Sequence, residues 1–349
     1  FFYSSNNNTL SNNTATNNGN DGFELYYSSN NTFSNNTAAD NGGDGLDMYG
    51  SDNNSFTNNL AQNNTGNGFW IDGDFNSFIG NTAINNGHGF LLIFALNNTL
   101  VNNIAEKNRG CGFYPSSSTD NTSLTGNIAR DNLRDGFEMH GSNSYFYNNE
   151  AINNSEYGFD FLVGPHFVSN NTANNNHWGG FRIYSNYNTL VNNKANNNTQ
   201  YGFILWKANN NNLSSNEAIN NGIYGFYLYN STDNELPGNT AINNSVHGFY
   251  LDSLSINNDL TGSLEKNYVQ VELRDLLNNL PVQGAEVKIE VDGETVYASP
   301  GFGGTNSTTD IKGLTGWILV PYRKFISGTV FVENETKVTM SYAGLYIVN

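Results

Sequence analysis

The strongest constraint on this chain is a repeat of 21 to 24 residues. Each unit contains a glycine followed by an apolar residue, a second apolar position about ten residues later, and an alanine. The glycines are Gly22, Gly45, Gly68, Gly89, Gly112, Gly136, Gly158, Gly180, Gly202, Gly225 and Gly248. The apolar positions do not follow a period of 3.6 residues, which excludes helical repeats. Three short strands per unit, stacked on neighbouring units, predict a parallel β-helix.

The strand after each glycine alternates between an inward and an outward side chain. Phe23 and Leu25 point one way in the first complete unit, and Glu24 and Tyr26 point the other way. We expect residues 1–264 to form nearly twelve coils over about 55 Å, at ~4.8 Å per coil. The predicted inward stack contains Phe23, Leu46, Phe69, Phe90, Phe113, Phe137, Phe159, Phe181, Phe203, Phe226 and Phe249.

Asparagine follows the same repeat and accounts for 69 residues. One column lies two residues before each repeat alanine, at Asn13, Asn36, Asn59, Asn81, Asn103, Asn127, Asn149, Asn171, Asn193, Asn216 and Asn239. A second column lies three residues after it, at Asn18, Asn41, Asn64, Asn86, Asn108, Asn132, Asn154, Asn176, Asn198, Asn221 and Asn244. Side-chain amides stacked at the coil spacing can hydrogen-bond to one another. Both columns therefore predict asparagine ladders at corners of the coil.

The repeat ends near Leu260, and alternating strand patterns without it follow. Residues 265–349 are expected to form a small antiparallel β-sandwich of the immunoglobulin-like type. The segments Pro281–Ala285 and Thr309–Gly313 resemble carboxypeptidase-regulatory-like or immunoglobulin-like modules.

The amino-acid sequence of the repeat, for example from Asn30 to Ala38, resembles that of right-handed parallel β-helix proteins. The similar group is the NosD-like, carbohydrate-binding and sugar-hydrolase repeats, including versions on archaeal cell surfaces. This resemblance implies an all-β solenoid. It leaves function open, because the fold carries lyases, hydrolases, epimerases, adhesins and inert surface proteins.

The composition of the chain argues against several classes of protein. The net charge of −17 argues against a nucleic-acid partner, which requires a basic surface. The longest apolar run, Phe90 to Leu96, is far shorter than the ~20 residues that span a bilayer, so no membrane span is expected. The single cysteine, Cys111, excludes an internal disulfide framework. The chain starts at Phe1 without a signal sequence, so it is read as a mature form or a fragment.

Asn-x-Ser/Thr sequons are abundant and predict N-linked glycans on an extracellular or cell-surface protein. Several precede a ladder asparagine by one residue, which should turn their side chains outward. The sequons are at Asn7, Asn12, Asn30, Asn35, Asn53, Asn63, Asn97, Asn121, Asn153, Asn170, Asn197, Asn212, Asn230, Asn243, Asn306 and Asn334.

Outward carboxylates are the candidates for chemistry. We expect Glu24 to stack beside Asp47 and Glu138 beside Asp160, at a spacing compatible with a glycosidase pair or a calcium site. Asp21, Asp44 and Asp135, each before a repeat glycine, lie nearby. A solvated acidic face is the simpler interpretation, and it is preferred. Calcium at Asp21, Glu24, Asp44 and Asp47 is a weaker alternative, and no other cofactor is expected.

Basic residues are few in the solenoid, and Arg182 is the only one in its outward column. A catalytic groove that mixes acids and bases is therefore not expected. The five histidines, His88, His140, His166, His177 and His247, share no column and are interpreted as surface or turn residues without a metal. Outward aromatic residues such as Trp70 suit stacking on sugars or burial against another subunit.

Two functional hypotheses follow. The preferred one is a glycosylated, non-enzymatic structural subunit of a filament, sheath or surface layer. Phe1 and Phe2 begin inside a strand, and the strand at Leu345 and Ile347 could pair with that open coil in the next copy, giving a head-to-tail homopolymer. Truncation of a longer solenoid explains the same start. The alternative is a carbohydrate-binding or carbohydrate-active β-helix that uses the face of Glu24, Asp47 and Trp70.

Overall fold

The protein is described by a computed structural model that covers residues 1–275, 280–291, 294–321, 328–332, 336–342 and 345–347. It divides into two compact units, Phe1–Ser263 and Leu264–Asn349. The sequence predicts the boundary between the two units after residue 264. Within the described residues, no helix has the length and apolarity needed to cross a membrane.

The first unit is a parallel β-helix in which most coils contribute one strand to each of three sheets, as the repeat predicts. We name its three sheets A, B and C in the order in which the chain visits them.

Sheet A has twelve strands: Phe2–Tyr3, Phe23–Tyr26, Leu46–Tyr49, Phe69–Ile71, Phe90–Leu92, Phe113–Pro115, Phe137–Met139, Tyr157–Phe161, Gly179–Ile183, Tyr201–Trp206, Tyr224–Tyr229 and His247–Leu251. Sheet B has ten: Thr9–Ser11, Thr32–Ser34, Ser55–Thr57, Ser77–Ile79, Thr99–Val101, Ser123–Thr125, Ser144–Tyr147, His166–Ser169, Thr189–Val191 and Asn212–Ser214. Sheet C contains Thr14–Thr16, Thr37–Ala39, Leu60–Gln62, Thr82–Ile84, Ile104–Glu106, Ile128–Arg130, Glu150–Ile152, Thr172–Asn174, Lys194–Asn196, Glu217–Ile219 and Thr240–Ile242.

The core of the solenoid is the predicted aromatic stack under sheet A. Phe90, Phe113 and Phe137 lie directly above one another, with ring centroids 4.8 to 4.9 Å apart and nearly parallel planes. Only the outermost members, Phe23 and Phe249, are partly exposed. The prediction of an inward stack is therefore confirmed.

Both asparagine ladders are also confirmed. In the first, the backbone N–H and the side-chain Nδ2 of Asn103 donate to Oδ1 of Asn127, at 2.9 and 3.0 Å. The same Nδ2 also donates to the carbonyl oxygen of Phe78, at 2.9 Å. Each amide thus satisfies buried backbone groups of its neighbours, which is the reason why the corners require asparagine.

A third ladder precedes sheet B and was not predicted. It contains Asn8, Asn31, Asn54, Asn76, Asn98, Asn188, Asn211, Asn234 and Asn258, which are linked by bonds from a backbone N–H to the side-chain oxygen in the next coil, while Nδ2 of Asn31 and Asn76 is buried without a partner. Thr122, Ser144 and His166 occupy its middle positions.

His166 therefore corrects the sequence-based interpretation of the histidines. It is buried, its Nδ1 accepts from the backbone N–H of Ser144 at 3.3 Å, and its Nε2 lies 2.6 Å from the carbonyl oxygen of Val163. Burial lowers its pKa to about 4, so this histidine is neutral. It replaces a ladder amide and is not a surface residue.

The second unit contains antiparallel strands. Leu264–Asp275 pairs with Ile318–Pro321 and with Thr336–Tyr342, which in turn pairs with Leu345–Ile347. A three-stranded sheet contains Glu294–Ala298, Val287–Val291 and Gly328–Val332, and Pro300–Phe302 is a 3₁₀ turn. The packing of these sheets as a sandwich stays a prediction.

Candidate functional site on the outer face of sheet A

The outer face of sheet A is formed by the outward side chains of its strands and by the residues just before them. The charges on the solenoid are unevenly distributed along its axis. All seven of its lysines and arginines lie between Lys107 and Lys207, and residues 1–105 carry eight carboxylates without a basic residue. The middle of the face is therefore where acids and bases meet. We call the group formed by Cys111, Arg134, Asp135, Glu138, His140, Asp160 and Arg182 the central cluster.

Glu138 lies at the middle of the central cluster and is almost fully buried. Its Oε1 is 2.8 Å from Nε2 of His140, and its Oε2 accepts from the Cys111 thiol at 2.9 Å. The Arg134 guanidinium lies 3.6 Å away. Burial acts to raise the pKa of Glu138, but the thiol, His140 and Arg134 together outweigh it and lower the pKa. Glu138 is therefore a carboxylate that orients the more exposed His140.

A second acid–base pair lies on the adjacent strand. Arg182 donates from Nε to Oδ1 of Asp160 at 2.7 Å, and its Nη2 bonds to the other carboxylate oxygen. The guanidinium also covers the Tyr157 ring, 4.5 Å from its centroid, and Trp178 meets that ring edge-on. Asp160 is fully buried whereas Arg182 reaches solvent. This bidentate pair fixes the plane of a guanidinium at the surface.

Asp135 and Cys111 form the buried floor of the cluster. Burial and the nearby Asp160 raise the pKa of Asp135 well above that of a free carboxyl. Burial also raises the pKa of the Cys111 thiol, which makes it a hydrogen-bond donor and not a nucleophile. One ligand atom from each of Cys111, Asp135 and Glu138 lies within 4.8 Å of the others.

Two rings border the cluster towards the N-terminal end. His88 and Tyr114 stack with centroids 4.8 Å apart, and Tyr114 meets His140 edge-on at 5.3 Å. Burial lowers the pKa of His88, and its Nδ1 accepts from the Cys111 backbone N–H at 3.0 Å. The neutral ring therefore carries its proton on Nε2.

These contacts bring acids and bases together on the outer face of sheet A, which the sequence did not predict. Arg182 is the only basic residue in the outward column two residues after the repeat glycines, as the sequence indicated. Arg134 and His140 belong to other positions of the repeat, so a single column could not reveal them. The predicted register of Glu138 beside Asp160 is confirmed.

The carboxylates predicted at the N-terminal end of the face also come together. Glu24 pairs in register with Asp47, and one carboxylate oxygen from each of Asp21, Asp44 and Asp47 lies within 4.8 Å of the others. Burial, followed by Asp44, Asp21 and Glu24, raises the pKa of Asp47 to about 7. Calcium binding there stays a prediction.

The C-terminal end of the face is aromatic. Tyr224 stacks on Tyr250 at 4.7 Å, and Trp206 on Tyr229 at 4.2 Å. Tyr227 lies between them, 5.4 Å from Tyr201, and burial together with nearby groups raises its pKa to about 12.

The described sequons lie outside the strands of sheet A. Their asparagines are exposed except for Asn97 and Asn212, which are half-buried. Most have left-handed backbone with φ between 46° and 61° and occupy coil corners. Asn334 lies outside the described residues.

Among the residues of the assembly hypothesis, Phe1 is 76% exposed, whereas Phe2 packs partly against the core. Leu345–Ile347 pairs with Thr336–Tyr342. The flanking residues 343–344 and 348–349 lie outside the described residues. Assembly through these strands stays a prediction.

The chain matches the family described as right handed beta helix region over residues 1–83, 66–166 and 135–271. It therefore belongs to the right-handed parallel β-helix family, as its repeat indicated.

Solved structures with the same fold are similar at low sequence identity. The periplasmic alginate epimerase AlgG is 17% identical with a TM-score of 0.54, over 69% of this chain and 70% of that one. The receptor-binding domain of the Siphovirus 9NA tailspike is 11% identical with a TM-score of 0.52, over 82% and 65%. The A-module of a mannuronan C-5 epimerase from Azotobacter vinelandii is 17% identical with a TM-score of 0.50, over 75% and 79%. No protein of curated function matches the chain significantly.

Proposed function

We propose that this chain is a secreted or cell-surface β-helix protein that binds a polysaccharide along the outer face of sheet A. The observation that carries the proposal is the central cluster, in which buried carboxylates fix His140 and Arg182 at the surface of one sheet. The sequence-based alternative, a carbohydrate-binding or carbohydrate-active protein, thus has more support than the preferred structural subunit.

Three features support a sugar ligand. Arg182 offers oriented hydrogen-bond donors, His140 offers the ring nitrogen that does not face Glu138, and the neighbouring Tyr114 and Trp178 offer apolar ring surface. Sugars present both hydroxyls and C–H faces, which match these two kinds of groups. The similar solved structures include two alginate epimerases, which act on a polysaccharide, and these supply support by fold alone.

Catalysis is a second candidate, and the pair Glu138–His140 favours it. A histidine held by a buried carboxylate at 2.8 Å is poised to move a proton to or from a bound sugar. Glu138 would act as a positioning residue and His140 as the acid or base.

Binding and turnover can be tested separately. We expect the protein to retain labelled glycans from an arrayed panel of polysaccharides, and Arg182→Gln to weaken that retention. Glu138→Gln should preserve binding and abolish any release of reducing ends or change in sugar composition. Glu150→Gln, on sheet C, is the matched control. Retention that is the same in wild type, Arg182→Gln and Glu150→Gln would contradict the proposal.

The hypothesis of a glycosylated filament subunit is a separate proposal, supported by the exposed sequons. Electron microscopy of the native material tests it, and deletion of residues 344–349 should abolish polymers while leaving folded monomer. Filaments formed by the deletion variant would reject the head-to-tail mechanism.

A further inference from the structure

The charges on the outer face of sheet A disfavour the binding of an anionic polysaccharide. Its N-terminal end carries Asp21, Glu24, Asp44 and Asp47, and residues 1–105 contain no lysine or arginine. Residues 208–263, beyond the central cluster, contain no lysine or arginine, and of their five carboxylates Asp252 directly follows a sheet A strand whereas the others lie on or beside sheets B and C. A polyuronate laid along the axis would therefore meet like charge at the N-terminal end and no lysine or arginine of these residues at the C-terminal end.

The cations in the middle of the face are already paired. Arg182 makes a bidentate pair with Asp160, Arg134 lies 3.6 Å from Glu138 and 3.9 Å from Glu156, and His140 contacts Glu138. Lys207, at the corner after a sheet A strand, is an exposed cation at the rim. The cluster therefore offers directed hydrogen bonds with little net positive charge.

The aromatic residues extend from this cluster towards the C-terminal end. Tyr201, Tyr224, Tyr227 and Tyr250 form a continuous set of ring contacts, with centroids 4.7 to 6.0 Å apart, over three coils. Tyr229 and Trp206 lie beside them. All six are half-buried, so each keeps part of its side chain accessible. We call these six residues the aromatic tract.

We propose that the ligand is an uncharged polysaccharide whose chain runs along the solenoid axis, from the central cluster over the aromatic tract. The inference rests on the proposed function and specifies its substrate class and direction. Rings and phenol hydroxyls bind neutral sugars without a requirement for cations. Successive coils repeat at ~4.8 Å, so the tract offers a row of equivalent contacts parallel to the axis.

The test measures binding of the full chain to neutral glucans, mannans and galactans and to the polyuronates alginate and polygalacturonate, at low and high NaCl. We expect retention of a neutral glycan that is insensitive to salt. Tyr227→Ala and Trp206→Ala should each weaken binding by about tenfold, the loss for one aromatic contact. Tyr227→Phe, which keeps the ring, should retain most of the affinity. Tyr49→Ala, at the N-terminal end of the same face, is the matched control, and thermal unfolding checks that each variant is folded.

The outcomes separate this inference from the proposed function. Preferential binding of alginate or polygalacturonate, weakened by salt, would overturn the neutral class while supporting a polysaccharide ligand. Neutral binding that Tyr227→Ala, Trp206→Ala and Tyr49→Ala leave equal would overturn the role of the aromatic tract. Retention of no glycan at all would reject the proposed function together with this inference.

Discussion

Asp47 combines partial burial with four nearby carboxylates, and its pKa of about 7 links stability to pH. The folded state keeps a proton on Asp47 that the unfolded chain, with the ordinary pKa of 3.8, releases between about pH 4 and 7. Folding stability therefore decreases as pH rises through this window. We expect Asp47→Asn to unfold at a higher temperature than wild type at pH 7.5, and the difference to vanish near pH 4.

The exposed Asp40 provides the comparison for that experiment. Asp40→Asn should follow wild type at both pH values in thermal unfolding scans. A gain from Asp47→Asn that persists unchanged at pH 4 would show that the ionisation of Asp47 is not its cause. Bound calcium would offset the repulsion, so the scans require a chelator.

Phe94 is a bulky residue in the left-handed region, with φ of 48° and 66% of its surface exposed. Asparagine and glycine occupy such corners elsewhere in the chain at lower cost. We expect Phe94→Gly to raise the free energy of unfolding by about 1 kcal/mol, through relief of this backbone strain. Thermal or denaturant unfolding measures it. Phe94→Ala keeps the strained backbone, so an equal gain in that variant would contradict the argument.

The ladders are the elements that tie each coil to the next. Asn103→Ala removes an acceptor for the backbone N–H and Nδ2 of Asn81, at 2.9 and 3.1 Å, and a donor to the Phe78 carbonyl. A buried group left without a partner costs ~1–3 kcal/mol, so we expect at least that loss of stability. Asn127→Ala should cause a similar loss of stability. The exposed Asn20→Ala is the control, and equal unfolding temperatures in all the variants would reject the structural role of the ladder.

The third ladder shows where a column in the sequence fails as a predictor. The first two columns are asparagine in every unit, whereas Thr122, Ser144 and His166 interrupt the third. The Ser144 hydroxyl and the His166 ring nitrogen accept this kind of backbone N–H bond, from Thr122 and Ser144, whereas the Thr122 hydroxyl is buried without a hydrogen-bond partner. The ladder therefore continues through residues that the asparagine pattern does not reveal.

For the molecule as a whole, the dominant electrostatic fact is its net charge of −17, with eight of the carboxylates and no compensating base in residues 1–105. Such self-repulsion destabilises a compact state and is screened by salt. We expect the unfolding temperature at pH 7.5 to rise between low and moderate NaCl. The rise should disappear near pH 4.4, the isoelectric point. A salt effect of the same size at both pH values would point to general ion effects instead.

The repeat predicted the coil, its inward stack and two ladders because the backbone and the core require the same residue types at the same positions of every coil. The central cluster is not periodic. His140 lies two residues after Glu138 in the same coil, but Cys111, Asp160 and Arg182 come from three other coils, and the stacking of coils brings the Cys111 thiol to 2.9 Å from Glu138. The signal for the central cluster in the sequence was that single residues, including Arg182, depart from the repeat.

The ladder bonds also bear on how such a protein changes over evolutionary time. The ladder amides bond mainly to the coil before and the coil after them, so a duplicated or deleted coil presents the same donors and acceptors as its neighbours. The length of the solenoid is therefore a property that gene duplication can alter without redesign of the core. The outward positions of sheet A carry none of these bonds and are free to diversify coil by coil.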